Sequence, residues 1–405
     1  MRWVNFLALL LVSIGHAELV VTALNRLHGL RLSCRTLQRL RNLHDVLLPG
    51  VPLAMFVFVG FSGPGLLVGG SWSDVPAGWL AWFAACSVGL VGLAASSVRW
   101  WLHRPPECQP VNHSSVVDVA RRLGYRPVGR GPLRSLTRLP GNQVFQLEIA
   151  EKTLALPRLP REWDGLSILH LSDLHFTGTI SREFFEHVID LAAGLRADLA
   201  VFTGDLLDRQ DLTEWLPATL GRIETPLGRY FILGNHDWFL DPQEIRRELM
   251  SLGWTSLVGQ VVTIDRRGQR LEIGGTELPW MGGHPEFEEQ GARDEGPGQV
   301  RGGVSSFGDR EPGAFRILLS HTPDQIGWAR RQGVDLMLAG HNHGGQVVLP
   351  VVGPVYSPSL YGVEYAGGTF WRPPTLLHVS RGVSGRHPLR WNCRPEITKL
   401  VLRPA

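Results

Sequence analysis

The stretch Ser167-Ile-Leu-His-Leu-Ser-Asp-Leu-His175 shows the pattern on which the fold of this chain depends. A short apolar run is followed at once by carboxylate and imidazole side chains, and four later stretches are built in a similar way. Short apolar runs bounded by polar or glycine residues are typical of buried β-strands. The five runs are 167–172, 199–204, 230–234, 315–320 and 334–340.

Seven side chains that can bind a metal ion follow these runs. In open α/β sheets, ligands gather outside the carboxyl ends of the strands, so we expect the seven at one rim. Imidazole and carboxylate suit Mn, Fe and Zn, and seven ligands are too many for one tetrahedral zinc ion. They fit a two-metal site that clamps a phosphate and activates water. The seven are Asp173, His175, Asp205, Asn235, His321, His341 and His343.

The order of the motifs carries a family resemblance. Asp-x-His, Gly-Asp, Gly-Asn-His-Asp, a single His and Gly-His-x-His occur in that order, which resembles the calcineurin-like metallophosphoesterase superfamily. The resemblance covers residues 143–403 and implies two packed mixed β-sheets flanked by helices, with a dinuclear site of Mn, Fe or Zn.

The resemblance also implies roles for individual residues. Asp205 would bridge the two ions, and His236 would donate a proton or stabilise charge near the phosphate. Asp237 is expected to orient the His236 imidazole. The remaining ligands divide into Asp173, His175 and His343 for one ion, and Asn235, His321 and His341 for the other.

One motif is more specific. Gly340-His-Asn-His-Gly-Gly-Gln346, followed by Leu349-Pro350, resembles the membrane-associated bacterial branch of phosphodiesterases. That branch also includes pyrophosphatases that cleave UDP-diacylglucosamine in lipid A synthesis. Protein serine/threonine phosphatases are a poorer match, because they usually carry Gly-Asn-His-Glu where this chain has Asp237. Purple acid phosphatases use a tyrosine ligand shortly after the bridging aspartate, and none occurs here.

The first hundred residues are strongly apolar. The segments 3–24, 43–70 and 77–98 have about the length that crosses a bilayer core, so two or three transmembrane helices are predicted. A signal peptide ending near Gly15-His-Ala17 is the alternative for the first segment. The loop 25–42 contains five arginines and no acidic residue, which favours the cytoplasmic side. We therefore expect a multi-pass inner-membrane protein with three spans and a cytoplasmic catalytic domain.

The domain organisation follows from these patterns. We expect a transmembrane region at 1–103, a basic Pro- and Gly-rich linker at 104–142, and the phosphoesterase domain at 143–405. Helices are predicted near 116–123, 181–196, 211–221 and 242–252. Residues 281–313 lack apolar periodicity, which indicates a mobile loop, either a lid or a surface insertion.

Composition narrows the function. The net charge of +3 argues against a nucleic-acid partner, and four scattered cysteines argue against a disulfide framework. We expect a membrane-anchored phosphodiesterase or pyrophosphatase acting on a small-molecule or lipid-linked phosphate. UDP-2,3-diacylglucosamine is one candidate, and another phospholipid or cell-envelope diester is equally compatible. The alternatives are a non-enzymatic membrane sensor that binds metal or a nucleotide, and a nuclease.

Overall fold

The computed structural model describes residues 1–286 and 314–405 of the 405-residue chain. Most of the predicted loop 281–313 therefore lies outside the described residues. The α-helices are α1 (Arg2–His28), α2 (Cys34–Met55), α3 (Ala77–Leu102), α4 (Val119–Leu123), α5 (Arg182–Ala193), α6 (Asn235–Trp238), α7 (Pro242–Ser251) and α8 (Ile326–Arg331).

The strands alternate with helices through the first half of the domain that follows the apolar helices. They are β1 (Val111–Asp118), β2 (Gln146–Leu156), β3 (Ser167–Leu171), β4 (Leu199–Thr203), β5 (Arg229–Ile232), β6 (Thr255–Ser256), β7 (Val261–Arg266), β8 (Gln269–Thr276), β9 (Phe315–Ser320), β10 (Leu336–Ala339), β11 (Val348–Leu349), β12 (Gly353–Pro354), β13 (Gly368–Arg372), β14 (Thr375–Val379) and β15 (Glu396–Pro404).

Two mixed sheets form the framework. The first has the order β1-β2-β15-β3-β4-β5-β6 and the second has the order β13-β14-β10-β9-β8-β7. The neighbours β3, β4, β5 and β6 are parallel, as are β8, β9, β10 and β14, whereas β15 runs antiparallel to β3. The predicted fold class is confirmed.

The core lies between the two sheets. Ile168 and Val201 from the first sheet belong to the same buried cluster as Ile317 and Leu338 from the second. On the outer face of the first sheet, α5 buries the side of the helix that carries Phe184 and Val188. Because both faces of the central strands are covered, their residues are buried and most of them are apolar.

Among the described residues, three helices are long and apolar enough to cross a membrane: α1, α2 together with the π-helical turn Phe56–Phe61, and α3. Helices α1 and α3 approach closely at Gly15 and Gly89. A methyl group at Gly15 would lie 2.0 Å from the Cys86 carbonyl oxygen, so only glycine permits this crossing. Small residues at such crossings are typical of membrane helix pairs.

The apolar helices contact the two-sheet domain at one end. The Asn25 amide of α1 donates to the Val355 carbonyl at 3.2 Å and accepts from the Ser357 N–H at 3.1 Å. From α3, the Ser97 hydroxyl donates to the Val352 carbonyl at 3.0 Å. The end of α1 and the end of α3 therefore hold the same loop of the domain.

Two local expectations differ from the structure. The segment 211–221 forms the separate 3₁₀ turns Gln210–Trp215 and Leu220–Arg222 rather than one α-helix. Residues 116–118 are the end of β1 and only 119–123 are helical. Strand β1 lies inside the predicted linker, because its mostly exposed residues at the edge of the sheet carry little apolar signal.

Candidate metal centre

The seven predicted ligands meet at one rim of the sheets, at the carboxyl ends of five strands. All are buried, from 0% exposed for Asp173 to 9% for His343. The positions are Asp173 and His175 after β3, Asp205 after β4, Asn235 after β5, His321 after β9, and His341 and His343 after β10.

The backbone at this rim is strained. Five of the seven residues have a left-handed conformation, which costs an L-residue about 1–2 kcal/mol. Such conformations persist where the surroundings enforce them, and they concentrate at functional sites. The five are Asp173 (φ 54°), His175 (φ 47°), Asp205 (φ 58°), His341 (φ 70°) and His343 (φ 51°).

A first cluster contains Asp173, His175, Asp205 and His343, with one donor atom of each within 4.8 Å of the others. His175 Nε2 lies 3.4 Å from Asp205 Oδ2, and His343 Nε2 lies 3.6 Å from Asp173 Oδ1. The Nε2 atoms of the two imidazoles are 3.2 Å apart. Two carboxylates and two imidazoles thus converge, which is a donor set that Mn, Fe and Zn accept.

A second cluster contains Asp205, His321 and His341, with Asn235 beside them. His321 Nε2 lies 3.3 Å from Asp205 Oδ2, 3.2 Å from Asn235 Oδ1 and 3.1 Å from His341 Nδ1. The other ring nitrogen of His321 donates to the Thr203 carbonyl at 2.7 Å, which leaves Nε2 free to act as a ligand. Asp205 belongs to both clusters.

Glycines in two of the motifs permit these contacts. A methyl group at Gly234 would lie 2.2 Å from Asp205 Oδ1, and one at Gly340 would lie 2.4 Å from Asp173 Oδ2. No side chain fits at either distance, so the glycines of Gly-Asn-His-Asp and Gly-His-Asn-His are required by the close approach of the backbone to the carboxylates.

Asp208 links His236 to the first cluster. Its Oδ1 accepts from His236 Nδ1 at 2.6 Å, and its Oδ2 accepts from His175 Nδ1 at 2.8 Å. The His236 N–H also donates to Asp205 Oδ1 at 2.9 Å. Burial opposes a charged imidazole, but Asp208 and Asp205 raise the pKa of His236 to about 9.

The expectation that Asp237 orients His236 is wrong. The Asp237 carboxylate is fully buried and accepts four backbone N–H bonds of 2.9–3.0 Å. It therefore holds the loop of Asp205 against the loop of Asn235 and contributes to the site only through the backbone. The four donors belong to Asp205, Leu206, Leu207 and Gly234.

Two residues at the site were missed in the sequence. The sequence did contain a signal for Asp208, because it is an acidic residue three positions after Asp205 in the same loop. Arg390 had none, because it lies in a loop without a motif. It is fully buried and donates to the carbonyl groups of His343 and Arg381 at 2.9 and 2.8 Å, and so holds the His343 backbone in place.

The local electrostatics shift the pKa values of the imidazoles in different directions. Burial and the neighbouring His321 lower the pKa of His341 well below its usual range, and burial and His175 do the same for His343. These two rings are therefore neutral, which is the form that binds metal. Burial opposes a charge on His321, but Asp205 and Asp173 raise its pKa to about 9. The carboxylates thus favour positive charge at the centre of the site.

Comparison with known proteins identifies the family. Residues 166–345 match the model of the calcineurin-like phosphoesterases. The uncharacterized metallophosphoesterase YkuE of Bacillus subtilis (strain 168) is 32% identical over 267 residues, which cover 64% of this chain and 87% of YkuE. The chain belongs to the calcineurin-like phosphoesterase family. It is therefore a metal-dependent phosphoester hydrolase, as the motif order predicts.

Two relatives carry named activities. Phosphodiesterase YaeI of Escherichia coli (strain K12) is 29% identical over 240 residues, covering 58% of this chain and 81% of YaeI. UDP-2,3-diacylglucosamine pyrophosphatase LpxG of Chlamydia muridarum (strain MoPn / Nigg) is 26% identical over 288 residues, covering 59% of this chain and 85% of LpxG. The predicted resemblance to the membrane-associated bacterial branch is confirmed.

Members of this family normally bind two divalent ions. The donor set of this phosphoesterase fits such a pair, because buried nitrogen and oxygen atoms converge on two neighbouring centres that share Asp205. Within the described part of the chain, His341 Nε2 also has no hydrogen-bond partner. Buried polar atoms of proteins are rarely left in that state without a functional reason.

Replacing Asp208 by asparagine is expected to lower kcat, or the metal affinity through His175, about 10- to 100-fold. The amide places an N–H donor against one of the two imidazole N–H groups, so either His175 or His236 loses its acceptor. Steady-state kinetics and metal content measure the effect. Asp211→Asn in the same segment is the control, because the Asp211 carboxylate pairs with the exposed Arg209 on the surface. Equal activity of the two variants would contradict the role of Asp208.

Replacing Asp237 by alanine is expected to lower the free energy of unfolding by about 3–5 kcal/mol. Four buried N–H groups lose their acceptor, and each unsatisfied group carries a desolvation cost. Thermal unfolding of the detergent-solubilised protein measures the loss. Asp241→Ala serves as the control, because Asp241 only caps α7 and its loss costs about 1 kcal/mol. Similar melting temperatures for both variants would refute the structural role of Asp237.

Proposed function

We propose that this phosphoesterase is anchored in the membrane and hydrolyses a phosphodiester or pyrophosphate bond of a lipid-linked substrate at a dinuclear centre. The observation that carries the proposal is a cavity of about 330 Å³ at the metal centre. Ligands such as Asp205 and His341 line one side of it, and residues of the apolar helices α1 and α2 line the other, among them Leu24 and Leu37. A substrate in this cavity touches both.

The proposed ligand sets follow the two clusters. Asp173, His175 and His343 would hold one ion, Asn235, His321 and His341 would hold the other, and Asp205 would be shared between them. When bound, two divalent ions neutralise the phosphate and activate water for in-line displacement. Mn, Fe and Zn all accept this donor set.

His236 is the proposed proton donor. It lies beside Asp205 at the edge of the cavity, and Asp208 fixes its ring through Nδ1. The other ring nitrogen is thus the one available to protonate the leaving oxygen. Asp208 holds the His236 ring in a fixed orientation, and Asp237 holds the Asp205 and Asn235 loops together.

The topology we propose has three spans, with the catalytic domain on the cytoplasmic side of the inner membrane. The basic end of α1, the beginning of α2 and the end of α3 lie beside the domain, through contacts such as those of Asn25 and Ser97. At the opposite end, Trp72 donates to the Asn5 side chain at 2.9 Å. Five arginines in 25–42 support the cytoplasmic placement.

UDP-2,3-diacylglucosamine is the specific substrate candidate. Its support is the similarity to LpxG together with the apolar wall of the cavity. The test is phosphorus NMR of the full-length, detergent-solubilised protein with Mn²⁺, using this lipid and bis-p-nitrophenyl phosphate in parallel. We expect UMP and lipid phosphate from the first and cleavage of the second. Cleavage of only the synthetic diester would exclude this lipid, and cleavage of neither would refute the hydrolytic function.

A further inference from the structure

The cavity at the metal centre has a wall from the apolar helices that is not uniformly apolar. Val21 and Leu24 of α1 and Leu37 of α2 provide an apolar surface. Arg41, one turn after Leu37 on α2, points to the same cavity. An arginine near the end of a membrane helix commonly lies at the level of the lipid headgroups. The wall is therefore amphipathic where it faces the site.

Three basic side chains meet there. Arg41 Nη2 lies 3.4 Å from His387 Nε2, and Arg386 and His387 line the cavity together with His236. Burial, Arg41 and Arg386 lower the pKa of His387 to about 4, so its ring is neutral. The positive charge of Arg386 also acts on His236. The cluster contains residues from the membrane part and from the C-terminal loop of the domain.

Within residues 1–286 and 314–405, neither Arg41 nor Arg386 forms an ion pair with a carboxylate. Other arginines of the domain do, as Arg246 with Glu277 at 2.9 Å shows. Besides the ligand Asp205, the acidic residue lining the cavity is Asp45, and it pairs with His44 at 3.0 Å. The two guanidinium groups thus face the cavity without a counter-charge from the described residues.

We propose that Arg41, Arg386 and His387 form an anion subsite for the second phosphate of a pyrophosphate-linked lipid, whose first phosphate lies at the metal centre. This rests on the proposed function and deepens it. Guanidinium groups bind phosphate oxygens through parallel N–H donors, and a substrate with one phosphate would leave the subsite empty. The apolar side chains Val21, Leu24 and Leu37 contact the lipid part.

The subsite also stabilises the leaving group. Hydrolysis forms a bond between the water oxygen and the attacked phosphorus and breaks the bridging P–O bond. The second phosphate leaves with the bridging oxygen and its electron pair. One water proton stays with the oxygen on the attacked phosphate, and the other ends on the leaving phosphate. Arg41 and Arg386 offset the charge that develops on that leaving phosphate.

The test uses the full-length protein in detergent with Mn²⁺ and three probes. CDP-dioleoylglycerol has a pyrophosphate and acyl chains, UDP-glucose has a pyrophosphate alone, and bis-p-nitrophenyl phosphate has a single phosphate. We expect Arg41→Gln and Arg386→Gln each to lower kcat/KM for the two pyrophosphates about 10- to 100-fold relative to the single-phosphate probe. If a pyrophosphate is not cleaved, its affinity is measured as the constant for inhibition of bis-p-nitrophenyl phosphate hydrolysis.

Arg39→Gln is the matched control. Arg39 lies two residues from Arg41 on the same helix, is exposed and does not line the cavity, so its replacement is expected to change none of the three values. An equal loss for all three probes, no loss for the pyrophosphates, or the same effect from Arg39→Gln would overturn the subsite. If the wild-type protein binds CDP-dioleoylglycerol at least tenfold more tightly than UDP-glucose, the result supports a lipid-linked pyrophosphate as the ligand. Equal affinities for the two compounds would overturn that part of the proposal.

The two proposals fail separately. If wild-type protein cleaves bis-p-nitrophenyl phosphate but neither cleaves nor binds a pyrophosphate, the subsite is refuted and the hydrolytic function stands. If nothing is cleaved, the proposed function is refuted. Calorimetric binding of UDP-glucose, which needs no turnover, then supports the subsite if Arg41→Gln weakens it and refutes the subsite if it does not.

Discussion

Asp205→Ala is expected to reduce turnover about a thousandfold or more and to lower the metal content of the purified protein. Asp205 is the carboxylate that both clusters share, at 3.4 Å from His175 and 3.3 Å from His321. Its loss removes a ligand from each proposed ion at once. The remaining imidazoles also lose the negative carboxylate that stabilises positive charge at the site.

Inductively coupled plasma mass spectrometry and hydrolysis of bis-p-nitrophenyl phosphate measure the two effects on one preparation. Asp190→Ala is the control, because Asp190 is an exposed aspartate whose ion-pair partner is the surface residue Arg222. The Asp190 variant is expected to keep the metal content and the activity of the wild type. Wild-type activity in the Asp205 variant would rule out the shared-ligand assignment.

The second large effect is expected for His236→Ala. We expect kcat to fall about 10²- to 10⁴-fold while the metal content stays that of the wild type. His236 contacts Asp205 through its backbone N–H, and its ring is held by Asp208 rather than by the ligand atoms of the two clusters. In the proposed mechanism the ring would serve proton transfer and charge stabilisation without being needed to hold the ions.

The contrast between the two variants is the informative result. Asp205→Ala loses metal and activity, whereas His236→Ala loses activity alone. His113→Ala, an exposed histidine on the edge strand β1, is the control for a histidine replacement. A His236 variant that loses its metal would make this residue a ligand, and one with full activity would remove it from the mechanism.

Much of the candidate site could be predicted from the sequence because it is encoded in short local motifs. Each ligand group follows a buried strand within a few residues, and parallel strands bring their carboxyl ends to one rim. The apolar run 199–204, for example, contains strand β4 at Leu199–Thr203. The motif spacing therefore placed Asp173, Asp205 and His341 near one another before any contact was known.

The hydrogen-bond partner of the His236 ring could not be predicted from local motifs. Asp237 is its neighbour in sequence, yet α6 turns that carboxylate toward four backbone N–H groups. Asp208, from the loop after β4, reaches the imidazole instead at 2.6 Å. Side-chain direction depends on backbone dihedrals and on the loop packed opposite, and neither is encoded by adjacency.

The sequence by itself determined the candidate ligand set, the strands that carry it and the three apolar segments, because each depends on residues close together in the chain. The tertiary structure decided which surface the apolar helices present to the site. Arg41 and His387 are 346 positions apart and meet at 3.4 Å. Such a contact arises from the docking of α1 and α3 on the loop around Val352 and Val355, a long-range arrangement that no local pattern of residues specifies.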